Sequence, residues 1–198
     1  MSVVSPIVNY GGQQETLRST DVLTGTLTGN PTASRLGYNC WTVDPMLTQA
    51  ARTLNQNTVY LAALAPTVAV ANTAIINVEF QVAVAGASLT YARIGIYSYS
   101  GGTATLIGTS ADLTTILTTT GIKNASITLS TAITLGDTVY LGVVNVGTTA
   151  VALAGLAINY QTGRGSPVRS GTIAGTTLPA TVSMSGTALA PSLFFFVF

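Results

Sequence analysis

The chain predicts an all-β fold, an antiparallel β-sandwich of about eight short strands. Three observations carry this. Apolar and polar residues alternate at period two in run after run from Thr58 onward. Turn formers interrupt those runs at intervals of about ten residues. Helical spacing never lasts beyond a single turn. Short strands joined in this way build either a jelly roll or an immunoglobulin-like sandwich, and the Cys-to-Trp-to-Cys spacing of the latter is absent from a chain with one cysteine, Cys40. The expectation is therefore a jelly-roll-like sandwich over residues 41–198, preceded by residues 1–40 as an extended arm.

The arm holds Pro6, Gly11-Gly12, Gly25, Gly29-Asn30-Pro31 and Gly37, with too little apolar surface to form a core. We read it as a segment that orders on a neighbouring subunit rather than as a free tail, with Val3, Val4, Ile7, Val8 and Tyr10 as its anchoring residues. MSVVSPIVNYGG lacks a basic stretch followed by an apolar run and is not read as a secretory signal.

Beyond Cys40, the segment Met46 to Leu54 is expected to form a helical turn. Thr58 to Leu64 reads as a strand closed by Pro66, since proline cannot donate to a ladder. Ala74 to Val84 alternates most clearly, with Ile76, Val78, Phe80, Val82 and Val84 inward and Asn77, Glu79 and Gln81 outward. Leu89 to Gly108 is a hairpin: Ile94 and Ile96 take one side, Tyr91, Arg93, Tyr97 and Tyr99 the other, and Ser100-Gly101-Gly102 turns the chain. If these strands are neighbours, Glu79 and Arg93 form a cross-strand pair. Thr109 to Gly121 reads as a loop with one helical turn. Ala125 to Leu129, Thr138 to Val146 and Val151 to Ile158 read as strands, the last three separated by Gly136-Asp137 and Gly147-Thr148-Thr149. Residues 161–191 are rich in Gly, Ser, Thr and Pro, and loops beyond about 12–15 residues usually have a function, so this excursion is a candidate binding or interface surface. The chain ends in LFFFVF, apolar on both faces of a strand; Phe194, Phe196 and Phe198 form a candidate subunit interface.

Charged residues make up 7% of the chain, against about 25% in an ordinary soluble domain. So weakly charged a surface argues for contact with other subunits. The net charge is +1 and the cations are scattered, which gives no electrostatic reason to bind nucleic acid. Thr53 to Val78 and Thr138 to Gly163 are free of charge, but Asn, Pro and Gly punctuate both and β-branched residues dominate, so they are read as buried strands rather than membrane spans.

Catalytic chemistry is not legible. The chain has no histidine, and its six acidic residues show no local pairing. No nucleophile elbow, phosphate loop or CxxC pair occurs, and loop calcium at Asp112 and Asp137 has no specific support. We expect no enzyme and no cofactor. Tyr91, Tyr97 and Tyr99, with Arg164 and Arg169, are the candidate glycan-binding or interface surface, because tyrosine rings stack on sugars and equally cover neighbouring strands.

The series NCWTVDPMLT, NTVYLAAL, AGASLTYARIGIYSYSGGTATLIGTSADL, TLGDTVYLGVVNVGTTAVALAG and LPATVS, followed by an aromatic end, resembles a domain common in minor tail and fibre proteins of tailed phages, especially those infecting actinobacteria. The resemblance implies a jelly-roll-like virion structural protein, usually trimeric, displayed on the particle and often involved in attachment to host-surface glycans. Its partners would be further copies of itself and other capsid or tail proteins. No coiled coil or collagen repeat is present, so a short arm with a compact head suits a capsid decoration protein or short spike as well as an adhesin tip.

Overall fold

The computed structural model describes residues 7–10, 13–16, 40–41, 49–64, 66, 68–156, 170–189, 193 and 196–197. The chain divides into two units, Met1–Thr32 and Ala33–Phe198. In the first, β1 (Ile7–Tyr10) and β2 (Gln13–Thr16) pair antiparallel, with Tyr10 opposite Gln13, so Gly11-Gly12 is the whole connection. The expected arm thus contains a hairpin and is not extended throughout. Of its anchoring residues, Ile7, Val8 and Tyr10 lie on β1, while Val3 and Val4 lie outside the described residues.

The second unit contains β3 (Cys40–Trp41), β4 (Gln49–Thr53), β5 (Thr58–Leu64), β6 (Ile75–Val84), β7 (Tyr91–Ser100), β8 (Thr103–Thr109), β9 (Gly121–Thr128), β10 (Val139–Val146), β11 (Ala152–Leu156), β12 (Ser170–Ala174), β13 (Thr181–Ser183), β14 (Ala188–Leu189) and β15 (Phe196–Val197). One sheet has the order β13-β8-β7-β10-β5-β12-β14; the other runs β3-β15-β6-β11-β4, with β9 also on β6. Residues Val78, Glu79 and Val82 of β6 each face β9 across one side, so β15 and β11 share its other side end to end.

The eight consecutive strands β4 to β11 fall as β8-β7-β10-β5 in one sheet and β9-β6-β11-β4 in the other. Every chain step changes sheet except the β7–β8 hairpin. This is the jelly-roll wrapping that the strand spacing predicts, and all its pairings are antiparallel. The hairpin turns on Gly101 and Gly102, both at positive φ, as the Gly-Gly signal requires.

Between the sheets lies the main core. It takes the inward file of β6 (Ile76, Val78, Phe80, Val82) together with Ile94 and Ile96 of β7, Val139, Leu141 and Val143 of β10, and Leu193 and Val197 near the C-terminus. Burying each such side chain stabilises the fold by about 1.5–3 kcal/mol.

Three local expectations are corrected. Residues Gln49–Thr53 form β4 and not a helical turn, because pairing along β11 overrides weak local preference. Val84 is half exposed, since the β6–β11 register shifts beside it and carries it past the core. Glu79 and Arg93 belong to different sheets and do not pair: chain neighbours in a jelly roll are sheet partners only at the hairpin. The loop after β8 does contain its one turn, a 3-10 turn at Ile116–Thr118.

Candidate functional site

Strand alternation puts Tyr91, Arg93, Gly95, Tyr97 and Tyr99 of β7 on the outer face of the seven-stranded sheet, as the sequence predicts. Outward here does not mean exposed. Gly95 lies directly across from Gly142 of β10, and this glycine pair leaves a trough in the middle of the sheet. A Cβ on Gly142 would sit 2.7 Å from Cε2 of Tyr97, and one on Gly95 would sit 2.9 Å from Cδ1 of Leu178. The Tyr97 ring therefore lies over Gly142, and Leu178 lies over Gly95.

Leu178 belongs to a strap. From β12 at one side of the sheet the chain crosses the outer face, pairs with β8 at the far side as β13, and returns through a 3-10 turn to β14 beside β12. Backbone bonds fix it at both ends: Gly175 N–H donates to Asn57 O at 2.9 Å, Leu106 N–H to Ala180 O at 2.9 Å, and Met184 N–H to Gly102 O at 3.0 Å. Beneath it, Val59, Leu61, Tyr97, Ala104, Tyr140 and Val144 join Val182 and Met184 in a second buried cluster.

The strap divides the expected tyrosine surface into separate environments. Tyr97 is wholly buried (0% exposed), and its hydroxyl donates to Pro179 O at 3.1 Å. Burial, with the nearby Tyr91 phenol adding to it, holds the Tyr97 phenol well above the usual tyrosine range. It is not a platform for a sugar, which corrects its place in the candidate surface. Tyr99 packs edge-on against Tyr140, centroids 5.8 Å apart at 72°; burial and then the Tyr99 phenol push the Tyr140 pKa up to about 12. Tyr91, at the other end of β7, is half buried, with the Arg93 guanidinium 5.7 Å from its ring centroid. Arg93 Nη1 also donates to Ser110 O at 3.4 Å. At about 3.3 Å per residue, Tyr91 and Tyr99 stand roughly 26 Å apart along the strand, too far for one small-sugar site.

Residues 170–189 of the expected 161–191 binding excursion thus supply sheet edges and the strap. Arg164, Arg169, Phe194 and Phe198 lie outside the described residues, and the backbone of Phe196 is paired between Trp41 and Glu79.

The outer face of the six-stranded sheet differs throughout. Ile75 is 66% and Ile122 68% exposed, and between them run Asn77, Glu79, Gln81, Asn124 and Ser126, with Ser126 Oγ donating to Asn77 Oδ1 at 2.7 Å. The sequence signals Asn77, Glu79 and Gln81 through the β6 alternation; Ile75 and Ile122 give no signal, being apolar residues in outward positions. An apolar cleft of ≈ 330 Å³, its mouth included, opens at one end of the sandwich between Leu64, Pro66, Val68, Val70, Ile133 and Val139.

At the opposite end sits a polar feature that the alternation did not reveal. Asn145 of β10 is fully buried, and neither atom of its carboxamide has a hydrogen-bond partner among the described residues; the same holds for the buried amide of Gln56. Asn145 lies in register with Thr58 and with Ala92. Buried amides of this kind are ordinarily satisfied by internal water.

The loop carboxylates have local roles. Asp112 accepts from the hydroxyl and the N–H of Thr114, at 2.6 and 3.2 Å, and Asp137 accepts from the N–H of Thr134 at 2.7 Å. These hydrogen bonds hold both carboxyls below their ordinary pKa. Among the described residues no group of three or more His, Cys, Asp or Glu could hold a metal ion, and no helix is long and apolar enough to cross a membrane. Compared with protein-family models and with curated proteins, the chain matches none.

Proposed function

We propose that this is a structural virion protein of a tailed bacteriophage, a capsid decoration, short spike or minor tail protein, with its N-terminal segment attaching to the particle and the jelly roll displayed. The observation that carries this reading is the division into a small hairpin-bearing unit, Met1–Thr32, and a jelly-roll unit, Ala33–Phe198, in a chain only 7% charged. A folded head with so little ionic covering gains from being surrounded by other subunits. The sheet face that the described residues leave open, bearing Ile75 and Ile122, is the broad surface through which it would meet them, with a trimer as the favoured assembly. Deleting residues 1–32 should leave a head that folds but no longer joins particles. Normal incorporation of the truncated chain would reject the anchor.

A second reading, a host-glycan adhesin, draws on the half-buried Tyr91 ring and the Arg93 guanidinium stacked over it, a pairing able to meet sugar C–H faces and hydroxyls or carboxylates together. A glycan array or cell-wall pull-down with the parent chain and with Tyr91→Ala checks it. Retention must be present in the parent and lost in the variant for this reading to stand.

A further inference from the structure

A β-sheet edge exposes unpaired N–H and C=O groups that invite another strand, and the edges of this sandwich are unequal. Among the described residues the seven-stranded sheet ends in β13 and β14, of three and two residues. Strands that short offer little to pair with. The six-stranded sheet ends on one side in β9, eight residues long. A full ladder joins β9 to β6, but on its other side the described contact is a single bridge, Ile127 to Ser110. Among the described residues, 121–126 thus form a long edge with exposed Ile122, Asn124 and Ser126 on the outer face.

The inward file of β9 is Lys123, Ala125 and Ile127. Ala125 and Ile127 are buried in the core. Lys123, the only lysine in the chain, stands opposite Phe80 of β6 and reaches out so that Nζ donates to Thr119 Oγ1 at 2.7 Å. An alternating strand would carry an apolar residue here. A charge in that file is tolerated only while the strand remains at the edge, where the ammonium reaches water. A further strand docked along 121–126 would extend the sheet past Lys123 and close off that exit. Leaving an ammonium desolvated and unpaired outweighs the few backbone bonds such docking would add.

We propose that Lys123 guards the β9 edge against pairing with the β9 of a second copy, the antiparallel two-fold contact that would fuse two six-stranded sheets into one. Assembly of this protein then proceeds through faces and not through this edge. The inference does not depend on the virion reading.

The test compares the mass of the full-length chain by light scattering with that of Lys123→Thr, Lys123→Arg and Ser126→Val. Lys123→Thr should shift to at least twice the parent mass and gain amide-exchange protection across residues 121–126. Lys123→Arg should keep the parent mass, as should Ser126→Val, which adds apolar surface to the outer face of the same strand and leaves the charge in place. Should Lys123→Thr fail to fold, acetylation of the folded parent serves instead, because Lys123 is its sole lysine side chain. Unchanged mass and exchange after neutralisation by either route would overturn the proposal, and so would equal association of Ser126→Val.

Discussion

The two outer faces of this sandwich are built from the same kind of strand and have opposite fates. On the seven-stranded sheet a glycine pair opens a trough, a tyrosine ring fills it, and the chain's own strap closes over the result. On the six-stranded sheet, described residues leave Gln81, Asn124 and Ser126 exposed and Asn77 half-buried between two exposed isoleucines. The contrast teaches that an outward-facing aromatic is not by itself a binding residue. Whether it meets solvent is decided by a segment far away in sequence, here residues 175–184.

The comparison breaks most severely at Tyr97. Tyr97→Ala empties the trough under the strap and should destabilise the fold by about 3–5 kcal/mol in chemical denaturation. Gly142→Ala comes next, because the new methyl meets the buried ring at 2.7 Å; overpacking of this kind should lower stability by about 1–3 kcal/mol.

Tyr97→Phe keeps the ring and loses the bond to Pro179, a loss of about 0.5–1.5 kcal/mol. It also sharpens a pH effect. Tyr97 and Tyr140 are both raised above their ordinary 10.0, so the folded chain retains protons that the unfolded chain releases. Their contribution is therefore complete below about pH 10 and falls as pH rises towards 12 and beyond. Denaturation midpoints across that range should drop more steeply for the parent than for Tyr97→Phe. On the open face, Ile75→Thr or Ile122→Thr should change folding stability by no more than about 0.5 kcal/mol. If that face is buried between subunits, the same changes should weaken assembly, measured as the fraction of protein in the oligomer.

Much of the fold was legible because its strands are amphipathic or flanked by turns. The alternation and turn signals match β5 residue for residue, and β6, the β7–β8 hairpin and β10 to within a residue or two. β10 also explains why Thr138 to Gly163 reads as a charge-free window: Tyr140 and Val144 enter the strapped cluster while Val139, Leu141 and Val143 enter the main core, so both faces are apolar. The strap was not legible. Leu178, Val182 and Met184 carry its packing at irregular spacing among Thr, Ser and Gly, and nothing local announces which sheet such a segment will cover. The tyrosine site failed for that reason: period two gave the correct face, and a contact from some eighty residues away, Tyr97 to Pro179, removed it from the surface.

The Asn145 carboxamide, without a hydrogen-bond partner among the described residues, gives the sandwich a polarity along its length. One end of β5 and β10, at Leu64 and Val139, abuts an all-apolar cleft, while the other, at Thr58 and Asn145, holds the buried side-chain amides of Gln56 and Asn145. An amide in the inward file takes the place of apolar packing, and segments with fewer buried apolar contacts open locally at lower cost. Breathing of the head should therefore begin at the Asn145 end, with deuterium entering the amides around Thr58 and Asn145 well before those around Leu64 and Val139.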